Sequence, residues 1–247
     1  MRSRAIALFT IAGFIATFSA AQAAQIGVAS AVTNEVQGFE GGSPRALAAG
    51  SGVFANERVR TGAASSAQLL FVDKTTVSIG PQAELTLDKF IYDPSRGIGL
   101  VALDTVRGSF RFITGSQNPN RYSIKTPVGT LGIRGTIVNL LVQGDKTIIG
   151  LSEGQAKLTL LNGQVVNLTQ IGMAYVIDKN GNVTGPVPFN LADNGFGGMG
   201  WSFAGDPANF NAPFGNVGGI DQLNAIDSSK IQPPVIPCCS FTGGGGM

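Results

Sequence analysis

From about Gly52 onward, apolar residues recur at every second position over short runs, the period of a strand with one buried face. In Glu84 to Phe90, Leu85 and Leu87 oppose Glu84, Thr86 and Asp88. In Val106 to Ile113, Phe110 and Phe112 oppose Arg107, Ser109 and Arg111. The same reading predicts strands over Arg58–Thr61, Ala67–Val72, Thr76–Ile79, Leu100–Leu103, Arg121–Lys125, Gly132–Val142, Thr147–Leu151, Ala156–Leu161, Val165–Leu168 and Ala174–Ile177. Turn signals separate them, among them Asp73-Lys74, Asp93-Pro94, Asn118-Pro119-Asn120 and Lys179-Asn180-Gly181. Asn162-Gly163, between two apolar runs, predicts a type I′ hairpin. Strands this short and frequent predict an all-β fold, a sandwich, jelly roll or barrel, rather than βαβ units. The expected class is a jelly-roll-like β-sandwich with an irregular C-terminal extension.

The flanks read differently. Residues 1–23 combine Arg2 and Arg4, an apolar run from Ala5 to Phe18, and Ala21-Gln22-Ala23. That is the layout of an export signal cleaved after Ala23, and the apolar run is short for a membrane span. Residues 24–51 read as one N-terminal strand, Ile26–Val32, and a linker with a flexible turn at Gly41-Gly42-Ser43-Pro44. Residues 52–187 form the β-domain. Residues 188–247 scatter aromatics among Gly, Asn and Pro, with a short helix over Ile220–Lys230, and are expected to be a disordered tail.

Composition narrows the chemistry. The 247 residues include no histidine, which removes the commonest general base and metal ligand and every Ser-His or Cys-His nucleophile pair. The net charge of +2 gives no nucleic-acid signature. Cys238 and Cys239 are adjacent, which suits neither a fold-stapling disulfide nor a zinc site without further ligands. No metal or cofactor is therefore expected. The remaining catalytic route is a carboxylate pair, Glu84 with Asp88 or Asp93. Along an extended strand Glu84 and Asp88 stand roughly 13 Å apart at ~3.3 Å per residue, too far for glycoside hydrolysis.

Residues 124–136, IKTPVGTLGIRGT, resemble a phosphate loop only in glycine content. The G-K-[ST] ending is missing, and the β-prone Ile137-Val138-Asn139-Leu140 follows where a helix N-terminus is needed. A bent strand pair fits better, with Arg134 either solvated and outward-facing or, the preferred reading, paired to a carboxylate across the sheet. Taken in order, VRTG at 59–62, AQLLFVDKTTVSIGPQAELTLDKFIYDP, VRGSFRFITG and IKTPVGTLGIRGT resemble the FecR domain. The resemblance covers about Gly52 to Thr136 and is expected to continue to about Val187. It implies a periplasmic, jelly-roll-like β-domain without catalytic activity. The family's regulators relay a signal from an outer-membrane iron-siderophore receptor to a cytoplasmic sigma factor. Only Met1 to Arg4 precede the apolar run here, so the expectation is a free-standing exported domain without the anti-sigma segment.

A candidate site follows from charge. Between Asp104 and Asp145 no acid occurs, while Arg107, Arg111, Arg121, Lys125 and Arg134 all do. If Val106–Ile113 and Arg121–Lys125 pair as a hairpin, their four cations form one face. Such a face suits an envelope protein or anionic glycan. The competing reading is a solvated face balanced by Glu84 and Asp88. The expected function is a non-catalytic binding or regulatory module in the bacterial periplasm or at the cell surface. A structural or adhesive protein acting through its tail is the alternative, and a polysaccharide-acting enzyme a distant third.

Overall fold

The computed structural model describes residues 23–93, 98–115 and 121–188. The expected export signal, the tail with its short helix and both cysteines, and the turns at Asp93-Pro94 and Asn118-Pro119-Asn120 lie wholly or mostly outside these residues. Fifteen strands run in chain order: β1 Gln25–Thr33, β2 Val36–Glu40, β3 Ser43–Ala46, β4 Gly52–Phe54, β5 Arg58–Thr61, β6 Ser66–Phe71, β7 Thr76–Ile79 and β8 Glu84–Asp93. The series continues with β9 Ile98–Ile113, β10 Tyr122–Thr126, β11 Gly129–Gln143, β12 Lys146–Leu160, β13 Val165–Leu168, β14 Met173–Asp178 and β15 Val183–Pro188. The described residues are all-β, as their alternation predicts.

Three long strands organise the rest. The first half of β9 pairs with β8 and β10, and its second half with β7 and β11. Similarly, β11 pairs first with β10 and then with β9, while β12 leaves β14 for β13. Each strand changes partners at a glycine with positive φ: Gly108 (99°), Gly135 (57°) and Gly154 (72°). Only glycine adopts such angles without steric cost, and there it turns a strand from one layer into the next. The continuous sheet thus folds into two arms. The first arm runs β4-β1-β6-β7-β9-β11-β12-β14-β15, and the second runs β3-β2-β5-β8-β9-β10-β11-β12-β13. Crowding fixes the corners as well, since a side chain on Gly108 would stand 2.4 Å from the Ala83 Cβ.

The arms bury their facing side chains in one core. The first arm contributes Leu69, Ile79, Phe110, Phe112, Leu140 and Leu151, and the second Leu85, Leu87, Ile124, Leu131 and Leu158. Phe71 stacks on Phe90 at 5.4 Å between ring centroids, a geometry aromatic pairs favour.

The stretch read as a linker is structured. β2 and β3 form a hairpin with Glu40 opposite Ser43, turning through Gly41 (φ 58°) and Gly42 (φ 91°). Two successive positive φ values are the signature of a type I′ turn. The type I′ turn expected at Asn162-Gly163 is instead a three-residue loop with Gly163 alone at positive φ, 86°. There the Leu160 N–H donates to the Gln164 carbonyl at 2.8 Å. The hairpin is present, and the extra residue changes its turn type.

Candidate functional site

Three cross-strand rows define the outer face of the second arm. In β5, Arg58 and Arg60 share parity, opposite the buried Val59. The register sets Arg60 beside Glu84 and Glu84 beside Arg107. The next row joins Arg58, Thr86, Asp104 and Lys125. A third joins Lys89, Ala102, Ser123, Gly132 and Lys157. Within these rows six cations, Arg58, Arg60, Lys89, Arg107, Lys125 and Lys157, stand against two carboxylates, Glu84 and Asp104.

Glu84 is the hub. Arg60 approaches it with Nε at 3.0 Å from Oε2 and donates from Nη2 to Oε1 at 3.2 Å, a two-pronged contact. Arg58 and Arg107 each stand 3.7 Å from it. The Glu84 side chain is 11% exposed, while those of Arg58, Arg60 and Arg107 are 40%, 40% and 61% exposed. One carboxylate thus orients three guanidinium groups and neutralises one. Phe39 lies against the same group, its ring centroid 4.9 Å from Arg58 Cζ and 5.1 Å from Arg60 Cζ. Stacking on an aromatic face holds an arginine plane still and leaves its edge available for hydrogen bonding. Further along, Lys125 Nζ pairs with Asp104 at 3.1 Å.

The structure sorts the five cations expected from sequence. Arg107 and Lys125 lie on this face, and Arg121 and Arg134 are exposed. Arg111 does not join them. The bend at Gly108 carries it into the first arm, where it is 4% exposed with Nη1 3.4 Å from Asn139 Oδ1. The expected hairpin between Val106–Ile113 and Arg121–Lys125 is also replaced. β10 runs parallel to the first half of β9, with Tyr122 opposite Val101 and Lys125 opposite Asp104. The expected carboxylate partner of Arg134 is not found among the described residues. Arg134 sits opposite Gln155 beside the corner, with its backbone N–H donating to Thr136 Oγ1 at 2.9 Å.

Sequence reasoning missed Arg58, Arg60, Lys89, Lys157 and Phe39. The alternation in Arg58-Val59-Arg60-Thr61 and in Ala156-Lys157-Leu158 marked the outward cations, but the neighbours were set by non-local pairing. Asp73 fixes Tyr122 at the head of β10. It accepts from the tyrosine hydroxyl at 3.0 Å and from the Thr75 N–H and hydroxyl at 2.9 and 2.8 Å.

A second charge pair lies at the arm's edge. Glu57, fully buried, accepts from Arg45 Nη2 at 2.7 Å and from the Phe54 N–H at 2.9 Å. Burial pushes its carboxyl above the usual range, and the contacts from Phe54 and Arg45 limit the rise.

Residues 57–170 match the family model described as FecR protein. That stretch is a FecR domain. The matched stretch holds every cation of the arginine-centred face and all three glycine corners, whereas β1 to β4, β14 and β15 lie outside it. No curated protein matches the chain. Two crystal structures of a candidate anti-sigma factor from Parabacteroides distasonis, at 1.65 and 2.50 Å resolution, resemble it with a TM-score of 0.41 and 13% identity. The similarity covers 51% of this chain and 57% of that one, so this chain spans little more than half of that protein. Among the described residues no helix is long and apolar enough to cross a membrane.

Proposed function

We propose that this FecR-domain protein is an exported, non-catalytic binding module of the bacterial envelope, and that the outer face of its second arm engages a carboxylate-rich partner. The observation that carries this reading is the row Arg60–Glu84–Arg107 with Arg58 and Phe39 beside it. Three oriented guanidinium groups around a single carboxylate leave an excess of two positive charges at a half-exposed surface. Planar guanidinium groups recognise carboxylates two prongs at a time, and a one-signed surface steers anionic partners to it. The non-catalytic part of the reading is supported by the absence of histidine from the chain. It is supported further by Glu84, whose two oxygens are engaged by arginines rather than free to move a proton.

Zero-length carbodiimide coupling tests the location. With alginate as a carboxylate-bearing probe, coupling is expected at Lys89, Lys125 and Lys157. Coupling confined to lysines off this face, such as Lys146 and Lys179, would refute the assignment.

A further inference from the structure

The sheet ends in four edge strands, β4 and β15 on the first arm and β3 and β13 on the second. An open edge is a row of unpaired amides, and proteins blunt such edges with proline, charge or very short strands. β4 has three residues, β3 carries Pro44 and Arg45, and β15 carries Pro186 and Pro188. β13, Val165–Leu168, has no proline, glycine or charge, and no charged residue occurs from Leu158 to Ile177.

The backbone of β13 is half used. Its ladder with β12 pairs Ala156 with Leu168 and Leu158 with Val166, and at its turn the Leu160 N–H donates to the Gln164 carbonyl at 2.8 Å. Hydrogen-bonded pairs alternate along an antiparallel ladder, so Gln164, Val166 and Leu168 address β12 while the amides of Val165 and Asn167 address the open side. Among the described residues, β12 is the one strand that pairs with β13. Apolar surface collects at the same edge. Of the six exposed large apolar side chains among the described residues, three lie here: Leu161 at 77%, Val165 at 45% and Ile171 at 62%.

We propose that β13 is a self-association strand, pairing antiparallel with β13 of a second copy about a two-fold axis at Val166. The residues around that axis are self-complementary. Val165 and Asn167, whose amides face outward, meet across the axis as hydrogen-bonded pairs, Val165 with the partner's Asn167 and Asn167 with the partner's Val165. Val166, packed at the margin of the core, meets the partner's Val166. Leu161 and Ile171 lie at equal distances in sequence on either side of Val166, so the axis brings each towards the partner's copy of the other. The two most exposed apolar side chains are thereby covered together. A second copy fits better than an unlike strand, because one surface supplies both halves of the match and the uncharged stretch meets itself without like-charge repulsion. Lys157, opposite Asn167 on β12, stands three strand spacings from the partner's Lys157. That is roughly 14 Å at ~4.8 Å each, beyond the Debye length of ~8 Å at physiological salt. An antiparallel edge pair keeps like faces on the same side, so the dimer joins two arginine-centred faces in one continuous sheet. That consequence, two sites for one extended partner, rests on the function proposed above, whereas the pairing itself does not.

Sedimentation velocity of the full chain, with Cys238 and Cys239 changed to Ser, tests this. The parent is expected to sediment as a dimer. Val165→Lys with Asn167→Lys, and Val165→Asp with Asn167→Asp, each set like charges opposite one another twice and should weaken self-association about tenfold or more. Mixing the lysine and aspartate proteins should restore the dimer, because position 165 of one then meets position 167 of the other. In a further variant, Val166→Cys, air oxidation should link two copies, since non-hydrogen-bonded partners stand about 4.5 Å apart at Cα, within disulfide range. A monomeric parent would overturn the proposal, meaning that the edge is open or is covered by another stretch of the chain. So would a dimer indifferent to both charge changes, a mixture that stays monomeric, or a Val166→Cys protein that does not cross-link. None of these readings involves alginate, so they stand or fall separately from the binding face.

Discussion

Glu57 has no access to solvent, and its ionised form is tolerated because Arg45 and the Phe54 N–H meet it. Its folded pKa is raised chiefly by burial. The folded protein therefore holds this proton more tightly than the unfolded chain. Its contribution to stability declines as pH rises from the ordinary value near 4.5 through the raised one. Arg45→Met should make the dependence steeper. We expect a loss of about 2–3 kcal/mol at pH 7, below the ~3–5 kcal/mol of a wholly buried pair because Arg45 is partly exposed. The loss should shrink towards pH 5, as urea unfolding at the two values would show. A loss independent of pH would mean that Arg45 acts by packing alone. At Gly154, φ is 72° and an added Cβ would stand 2.1 Å from the Gly135 carbonyl oxygen. Gly154→Ala should cost roughly 2–4 kcal/mol from left-handed strain plus overpacking. Thermal unfolding within 1 °C of the parent would contradict that account.

At the scale of elements, pairing decides more than propensity. Strands over Arg58–Thr61, Thr76–Ile79 and Val165–Leu168 were legible because alternation is local and these strands keep one face buried. The bend at Gly108 was not legible, since alternation continues on both sides of it while the face being addressed changes arm. That single corner separates Arg107 from Arg111 and brings β10 alongside β9 in parallel. β2 and β3 escaped notice because Gly38 stands at an inward position of Val36–Glu40 and Pro44 interrupts Ser43–Ala46, so neither strand shows a clear apolar–polar alternation. Their turn offers a test of its geometry. Gly41 has φ 58° and open space where a Cβ would go, and Asn accepts that conformation with less freedom to lose on folding. Gly41→Asn should raise stability by about 0.4–1 kcal/mol in thermal melts. Destabilisation would argue against a type I′ turn.

For the whole molecule, the fold class and the basic character of the chain's middle were legible in sequence, and the identity of the site was not. Glu84 was foreseen as an acid balancing cations, but its place among Arg58, Arg60 and Arg107 depends on β5, β8 and β9 meeting in register. Two long-range pairings put one carboxylate and three guanidinium groups in a single row. The central claim, that this row is a surface for carboxylate-rich partners, is tested most directly by titrating alginate binding against ionic strength. The parent is compared with the triple variant Arg107→Gln, Lys125→Gln, Lys157→Gln, which keeps the Arg60–Glu84 contact. The expected result is salt-weakened binding in the parent, with affinity reduced about tenfold or more and the salt dependence flattened in the variant. Binding of equal strength and equal salt dependence in both proteins would contradict it.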